Sequence, residues 1–168
     1  LQGDSSSDVC SSDLGLVVVG VQTGIGAARV APPDLRLFGM SPKEFLVVPL
    51  GSIMMFGALV CAGVAARRRP AAHRPLMFMA SLAAVSAALG RIGPLNTWYA
   101  GTWLERGFSA FLTMLLLGAL VLGVKWGVTR RFDGWFASVL AALAVCSMAL
   151  SLGSKTGAWD SFATFLLR

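Results

Sequence analysis

Two long apolar runs separated by a short, strongly basic turn are the feature that most constrains this chain. One run extends from Phe45 to Ala66 and the other from Leu76 to Leu89. The turn between them holds four arginines and the only histidine of the chain: Arg67, Arg68, Arg69, His73 and Arg74. Apolar runs of this length joined by a basic turn are typical of a transmembrane helical hairpin whose turn lies at a membrane surface.

The composition agrees with a protein whose main partner is the lipid bilayer. Apolar residues make up 56% of the chain and charged residues 13%, whereas a soluble domain carries about 25% charged residues. The net charge of +6 is concentrated at the ends of apolar runs, which indicates orientation signals and lipid-headgroup partners and argues against nucleic acid. The three cysteines, Cys10, Cys61 and Cys146, have no metal-site spacing. With no phosphate-binding loop and no Ser/His/Asp set, the sequence favours a role without catalysis.

The sequence predicts an all-α fold, a polytopic transmembrane helical bundle with about five membrane helices. A membrane helix needs about 20 mainly apolar residues. The membrane helices are expected at 15–30, which is short for a span, and at 42–66, 72–92, 107–125 and 135–152. The tail from Lys155 to Arg168 alternates polar and aromatic residues, and is expected to form a short interfacial helix or the start of a further span.

Local signals support the second and third of these helices. Ser41, Pro42 and Glu44 form the pattern of a capping box, with Ser at the N-cap and Pro at the first helical position. Pro49 follows early enough to predict a kink in the helix. In the third helix Ala80, Ala84 and Ala88 repeat every four residues, and so do Ala83 and Ala87. Small residues let helices approach closely in lipid, so this helix is expected to be central, with the Ala80, Ala84 and Ala88 stripe as its contact face.

The first fourteen residues differ from the rest of the chain. Residues 6–14, Ser-Ser-Asp-Val-Cys-Ser-Ser-Asp-Leu, resemble the conceptual translation of a sequencing adaptor. On this interpretation residues 1–14 are a disordered, artefactual leader, residues 15–168 form a single transmembrane domain, and further helices are expected upstream of Gly15. The alternative is a natural Ser/Asp-rich tail. On either interpretation, a segment this rich in Ser and Asp is not expected to pack in a core.

The cations predict the orientation of the bundle. The turns at 67–74 and 125–131 are the most basic loops and are separated by two expected spans, which places them on the same side of the membrane. The positive-inside rule makes that side the cytoplasm of a bacterial inner membrane. The topology determinants are Arg67, Arg68, Arg69, Arg74, Lys125, Arg130 and Arg131.

Three residues are candidates for chemistry within the membrane domain. His73 lies at the start of a helix, where it can ligate haem iron or pass a proton, or can be simply an interfacial polar residue. Arg91 follows it by eighteen positions, or about five helical turns, which places both on one helix face. Arg91 either snorkels to the headgroups or turns inward to pair with Glu105.

The run from Arg67 to Met77, followed by Phe78-Met79-Ala80-Ser81-Leu82, resembles a signature of uncharacterised bacterial integral-membrane proteins. In that family a basic-Pro-x-x-His-basic-x-Leu-Met turn joins two helices, and the similarity extends over 32–135. The resemblance implies further N-terminal helices that carry more histidines and, more loosely, a likeness to bundles that bind haem b; only His73 can be carried over as a ligand. Pro75 departs from the usual pattern.

Two functions therefore remain open from the sequence. The first is a non-enzymatic or accessory role in the inner membrane, in which the chain binds a membrane-protein partner or a second copy of itself. The second is a haem-b-binding or redox-associated role that uses His73 and ligands from outside this sequence. A transporter is disfavoured because the chain lacks the paired broken helices and buried charges of that class.

Overall fold

A computed structural model of the chain describes residues 5–30, 32, 40–89 and 101–167. They form an all-α bundle, which confirms the predicted fold class. The long helices are α1 Ser5–Val30, α3 Val47–Ala65, α4 Pro70–Leu89, α6 Leu112–Thr129 and α7 Gly134–Gly153. The short ones are α2 Pro42–Phe45, α5 Trp103–Phe108, which a 3-10 turn at Ser109–Phe111 joins to α6, and α8 Gly157–Leu167.

Within the described residues, three stretches of helix are long and apolar enough to cross a membrane, namely Lys43–Ala65, Leu112–Thr129 and Gly134–Gly153. The helix α1 contributes a shorter apolar segment, Gly15–Val30. The first turns of α4 contain His73, Arg74 and Pro75, so its apolar part begins only at Leu76. Of the five expected membrane helices, three are thus of full spanning length by composition, and the membrane limits of the other two stay predictions.

The start of α1 differs from the sequence prediction. Residues 1–14 are expected to form no regular element, but the helix begins at Ser5 and continues without a break to Val30, so that expectation is wrong from Ser5 onward. Extending an existing helix adds one hydrogen bond for each residue that is fixed, which costs far less than nucleating a new one. Ser and Asp are also favourable in a first helical turn. The adaptor interpretation of residues 6–14 stays a prediction.

The capping box at the start of α2 is confirmed by its two hydrogen bonds. The backbone N–H of Ser41 donates to Glu44 Oε2 at 2.8 Å. The backbone N–H of Glu44 donates to Ser41 Oγ at 3.4 Å. Both bonds satisfy amides that no helical carbonyl can reach, which fixes the beginning of the helix.

Near Pro49 the expected 42–66 helix is interrupted and divides in two, and the kink itself stays a prediction. Helix α2 ends at Phe45, Leu46 forms a turn, and α3 begins at Val47. Proline has no N–H, and its ring clashes with the carbonyl four residues earlier, here that of Phe45. The helix is therefore interrupted one turn before the proline.

Helix α4 is central, as expected, because it packs against α3, α6 and α7. Its contact face is not the expected one, since Ala84 is exposed. The buried positions are Ala72, Pro75, Met79, Ala80, Ala83 and Ser86. Ala72, Met79 and Ser86 recur every seven residues, a spacing that stays on one helix face, whereas each step of four residues drifts by about 40° around a helix of 3.6 residues per turn. The predicted stripe of Ala80, Ala84 and Ala88 is therefore confirmed at Ala80 and wrong at Ala84, and the side chain of Ala88 lies outside the described residues.

Contacts between the helices establish which ends of the bundle lie together. A Cβ added at Gly51, near the start of α3, would lie 2.8 Å from Leu150 Cδ1 and 3.2 Å from Phe111 Cζ. The start of α3, the start of α6 and the last turn of α7 are therefore neighbours. Toward the opposite end, the rings of Phe78 on α4 and Phe136 on α7 have centroids 5.7 Å apart.

These contacts bring the α3–α4 turn and the α6–α7 turn to one end of the bundle. We call this end, formed by residues 66–74 and 125–133, the basic end. The opposite end carries α2 and α8, which pack against each other. The side of the membrane that each end faces stays a prediction.

Candidate functional site

His73 joins the end of α3 to the beginning of α4. Its Nδ1 lies 2.8 Å from the carbonyl oxygen of Gly63. The last carbonyls of a helix lack partners within that helix. Here the N–H of Ala66 satisfies Ala62 and the N–H of Arg67 satisfies Val64, and His73 supplies the donor for Gly63, which lies between them. The side chain is thus a helix cap that comes from the next helix.

The bond to Gly63 fixes the tautomer of the neutral His73 ring. A carbonyl oxygen only accepts hydrogen bonds, so Nδ1 must carry the proton and Nε2 must hold the lone pair. Metal-ligating histidines often donate the second ring N–H to a backbone carbonyl in this way. The chain has one histidine, so a bis-histidine haem site needs a second ligand from elsewhere. Within the described ranges, no group of three or more His, Cys, Asp or Glu residues is placed to hold a metal ion.

The structure gives Glu105 a local role. Its Oε2 accepts a hydrogen bond from the backbone N–H of Gly101 at 2.6 Å, which fixes the chain just before α5. Gly101 has φ +78°, a left-handed conformation that glycine adopts without steric cost. Arg91 lies outside the described residues, so the Arg91–Glu105 pair stays a prediction.

All seven topology determinants lie at the basic end, and all are exposed: Arg67, Arg68, Arg69, Arg74, Lys125, Arg130 and Arg131. Of these seven residues, only Lys125 forms an ion pair with a carboxylate that the structure describes, and its partner is Asp133. The six arginines therefore leave a strong positive potential at this end.

Asp133 begins α7 and is the one described carboxylate of the basic end. Its Oδ1 accepts a hydrogen bond from the N–H of Phe136 at 3.0 Å, which makes it the N-cap. The hydrogen bond from Lys125, followed by that from Phe136, lowers the pKa of Asp133 below its ordinary value of 3.8. Asp133 thus stays ionised at neutral pH and ties the end of α6 to the start of α7.

A layer of buried hydroxyl groups lies inside the bundle, and sequence reasoning missed it. Ser52 Oγ on α3 and Ser86 Oγ on α4 are 2.9 Å apart. Ser86 also donates to the carbonyl of Ala83, so Ser52 must be the donor in the bond between the two serines. Ser147 on α7 donates to the carbonyl of Leu143 at 2.7 Å. The sequence signal for this layer is the seven-residue spacing of Met79 and Ser86, because it places Ser86 on the same helix face as the apolar Met79.

Ser151, one turn beyond Ser147 on α7, differs from the other buried serines. Its Oγ is fully buried and has no hydrogen-bond partner among the described residues. A buried hydroxyl without a partner costs stability. Ser52 and Ser86, in contrast, bond to each other across two helices, and Ser147 bonds within its own helix.

Helix α8 is bound to the opposite end by polar contacts. Trp159 Nε1 donates to the carbonyl oxygen of Lys43 at 3.0 Å. Lys43 Nζ in turn donates to Thr164 Oγ1 at 3.0 Å and lies 3.4 Å from Asp160 Oδ1. The expected short C-terminal helix is present, and it covers the segment where Pro49 interrupts the helix.

In the part of the chain that the structure describes, the fold is an all-α helical bundle with three helices long and apolar enough to cross a membrane. His73 and the Ser52–Ser86 pair join its helices to one another. No family model, curated protein or solved structure matches this chain. The membrane class therefore rests on the length and apolarity of the helices themselves.

Proposed function

We propose that the chain is a multi-pass protein of the bacterial inner membrane with an accessory, non-catalytic role. The observation that carries this proposal is that His73 and two buried serines join neighbouring helices. His73 caps Gly63 of the neighbouring helix, and Ser52 bonds Ser86 across two helices. Side chains that hold helices together in lipid give a rigid scaffold to which a membrane-protein partner or a second copy of the chain can bind. The resemblance of the 67–77 turn to bacterial integral-membrane proteins supports the same class.

The proposed orientation places the basic end in the cytoplasm, as the positive-inside rule favours. The test is labelling of intact cells with a membrane-impermeant thiol reagent, in a background in which Cys10, Cys61 and Cys146 are replaced by alanine. Arg68→Cys and Arg130→Cys should be protected, and Trp98→Cys, in the predicted outer loop, should react. The reverse pattern would overturn the orientation, and release of the chain from membranes by alkaline extraction would overturn the membrane assignment.

A second candidate function is haem-b binding by His73, and one contact favours it. The hydrogen bond from Nδ1 to Gly63 leaves the Nε2 lone pair for a metal. When bound, haem would supply one-electron chemistry, and His73 would hold its iron through Nε2. A Soret band in the purified protein that disappears in His73→Ala and persists in Arg74→Gln would support this function. Absence of the band after expression with added haem would reject it.

A further inference from the structure

An open depression of about 480 Å³ lies where α3 ends at the basic end. It is lined by Val64 and Ala65 of α3 and by Arg67 and Arg68 of the following turn. One wall is thus apolar, and the rim beyond it is cationic. All four residues are exposed.

The charged side chains that the structure describes at this end of the bundle are mostly cations. The other exposed cations of the basic end add to the field of Arg67 and Arg68, and Asp133 is already paired with Lys125. The other carboxylates with described side chains, Glu44, Glu105 and Asp160, belong to α2, α5 and α8 at the opposite end. A phosphate at the depression would therefore meet two guanidinium groups that have no carboxylate partner among the described residues.

The apolar wall continues along α3 away from the arginines. Exposed residues recur at Met54, Ala58, Cys61 and Ala65, at spacings of four, three and four, which place them on one helix face. On a helix that spans a bilayer, such a face meets acyl chains. The surface therefore presents an apolar track that leads to a pair of arginines just beyond the end of the span.

The geometry points to this depression as a binding site for an anionic phospholipid. Its phosphate would lie at Arg67 and Arg68, and an acyl chain would lie along the apolar track that runs on α3 from Ala65 to Met54. This inference rests on the proposed membrane function. A phospholipid carries its phosphate immediately beyond its acyl chains, and this matches the order of cationic rim and apolar wall along α3. A soluble anion would use the rim alone.

The test uses native mass spectrometry of the full chain in detergent, titrated with phosphatidylglycerol or with phosphatidylcholine of the same acyl chains. The unaltered protein should retain phosphatidylglycerol at least tenfold more tightly. The double variant Arg67→Gln/Arg68→Gln should lose about 30-fold, since each basic residue near an anionic headgroup contributes about 1 kcal/mol and 1.4 kcal/mol is tenfold. The matched control is Arg130→Gln/Arg131→Gln, which removes the same charge from the other turn and should have much the smaller effect.

A third variant separates the apolar wall from the charge. Ala65→Trp fills the depression and keeps both arginines, so it should also weaken phosphatidylglycerol binding. Equal binding of the two lipids by the unaltered protein would refute the site, and so would equal losses in the two arginine pairs or displacement of the lipid by millimolar inorganic phosphate. If the chain resists alkaline extraction but shows no lipid preference, only this inference fails. If it is extracted, the membrane function fails as well.

Discussion

Neighbouring alanines on α4 give a sharp test of how the bundle packs. Ala83 is 0% exposed and belongs to the main core, where α3, α6 and α7 meet α4. Ala84, the next residue, is exposed. We expect Ala83→Leu to destabilise the bundle and Ala84→Leu to have almost no effect, although both add the same three carbon atoms to the same helix.

The size of the expected change in the free energy of unfolding depends on whether the added carbons contact protein or lipid. Overpacking a filled core costs about 1–3 kcal/mol. In a soluble protein, burial of three added carbons would offset this by about 0.8 kcal/mol each. Lipid tails are as apolar as leucine, so the offset disappears in a membrane. Ala83→Leu should therefore show the full cost, and Ala84→Leu should stay within about 0.5 kcal/mol, as surface substitutions do.

The assay is reversible unfolding in mixed detergent micelles, followed by tryptophan fluorescence. Leucine and alanine both favour helices, so intrinsic propensity contributes little to the comparison. The reasoning is refuted if Ala84→Leu is as damaging as Ala83→Leu. That result would mean that α4 presents the four-residue stripe rather than the seven-residue face to its neighbours.

Three further predictions use the same protein. Leu115→Ala should cost about 1–3 kcal/mol, because Leu115 is 8% exposed and its truncation leaves a cavity, whereas the transfer part of the usual cost is absent in lipid. Leu116→Ala should cost less than about 1 kcal/mol because Leu116 is 42% exposed; equal losses on unfolding would contradict this assignment. Because the pKa of Asp133 is lowered in the folded state, its ionised side chain stabilises the fold above the unfolded-state pKa of 3.8. This stabilisation is lost as the pH falls through the lower pKa of the folded state. Asp133→Asn should therefore unfold with a shallower acid dependence than the parent, and equally steep curves would exclude this role. Trp159→Phe removes the donor to the Lys43 carbonyl and should cost about 1 kcal/mol; unchanged amide exchange in α8 would rule out the contact.

The local elements could be predicted from the sequence because their causes are local. Ser41 and Glu44 are three residues apart, and each reaches the backbone amide of the other whatever surrounds them. Pro49 interrupts its helix because its own ring and missing N–H act within one turn. The length of an apolar run similarly limits which helices can cross a bilayer. The start of α1 at Ser5 was missed because composition alone says little about how far an existing helix extends.

Which face of each helix is buried was decided only by the tertiary structure. Ala80, Ala83 and Ala84 are chemically identical, and two of them are buried only because of where α3, α6 and α7 lie. In a soluble helix the polar face would have revealed the core, but a membrane helix can be apolar on all sides, so this signal is weak.

The role of His73 also depended on tertiary structure. The sequence identified it as the one side chain suited to ligation or proton transfer, and could not show that Gly63, ten residues earlier, would present a carbonyl without a helical partner 2.8 Å away. That contact requires the exact angle at which α4 folds back on α3. The sequence by itself thus determined the class of fold and the clustering of positive charge, because these depend on composition and short spacings. The tertiary structure decided the hydrogen-bond partners, because these depend on how separate helices meet.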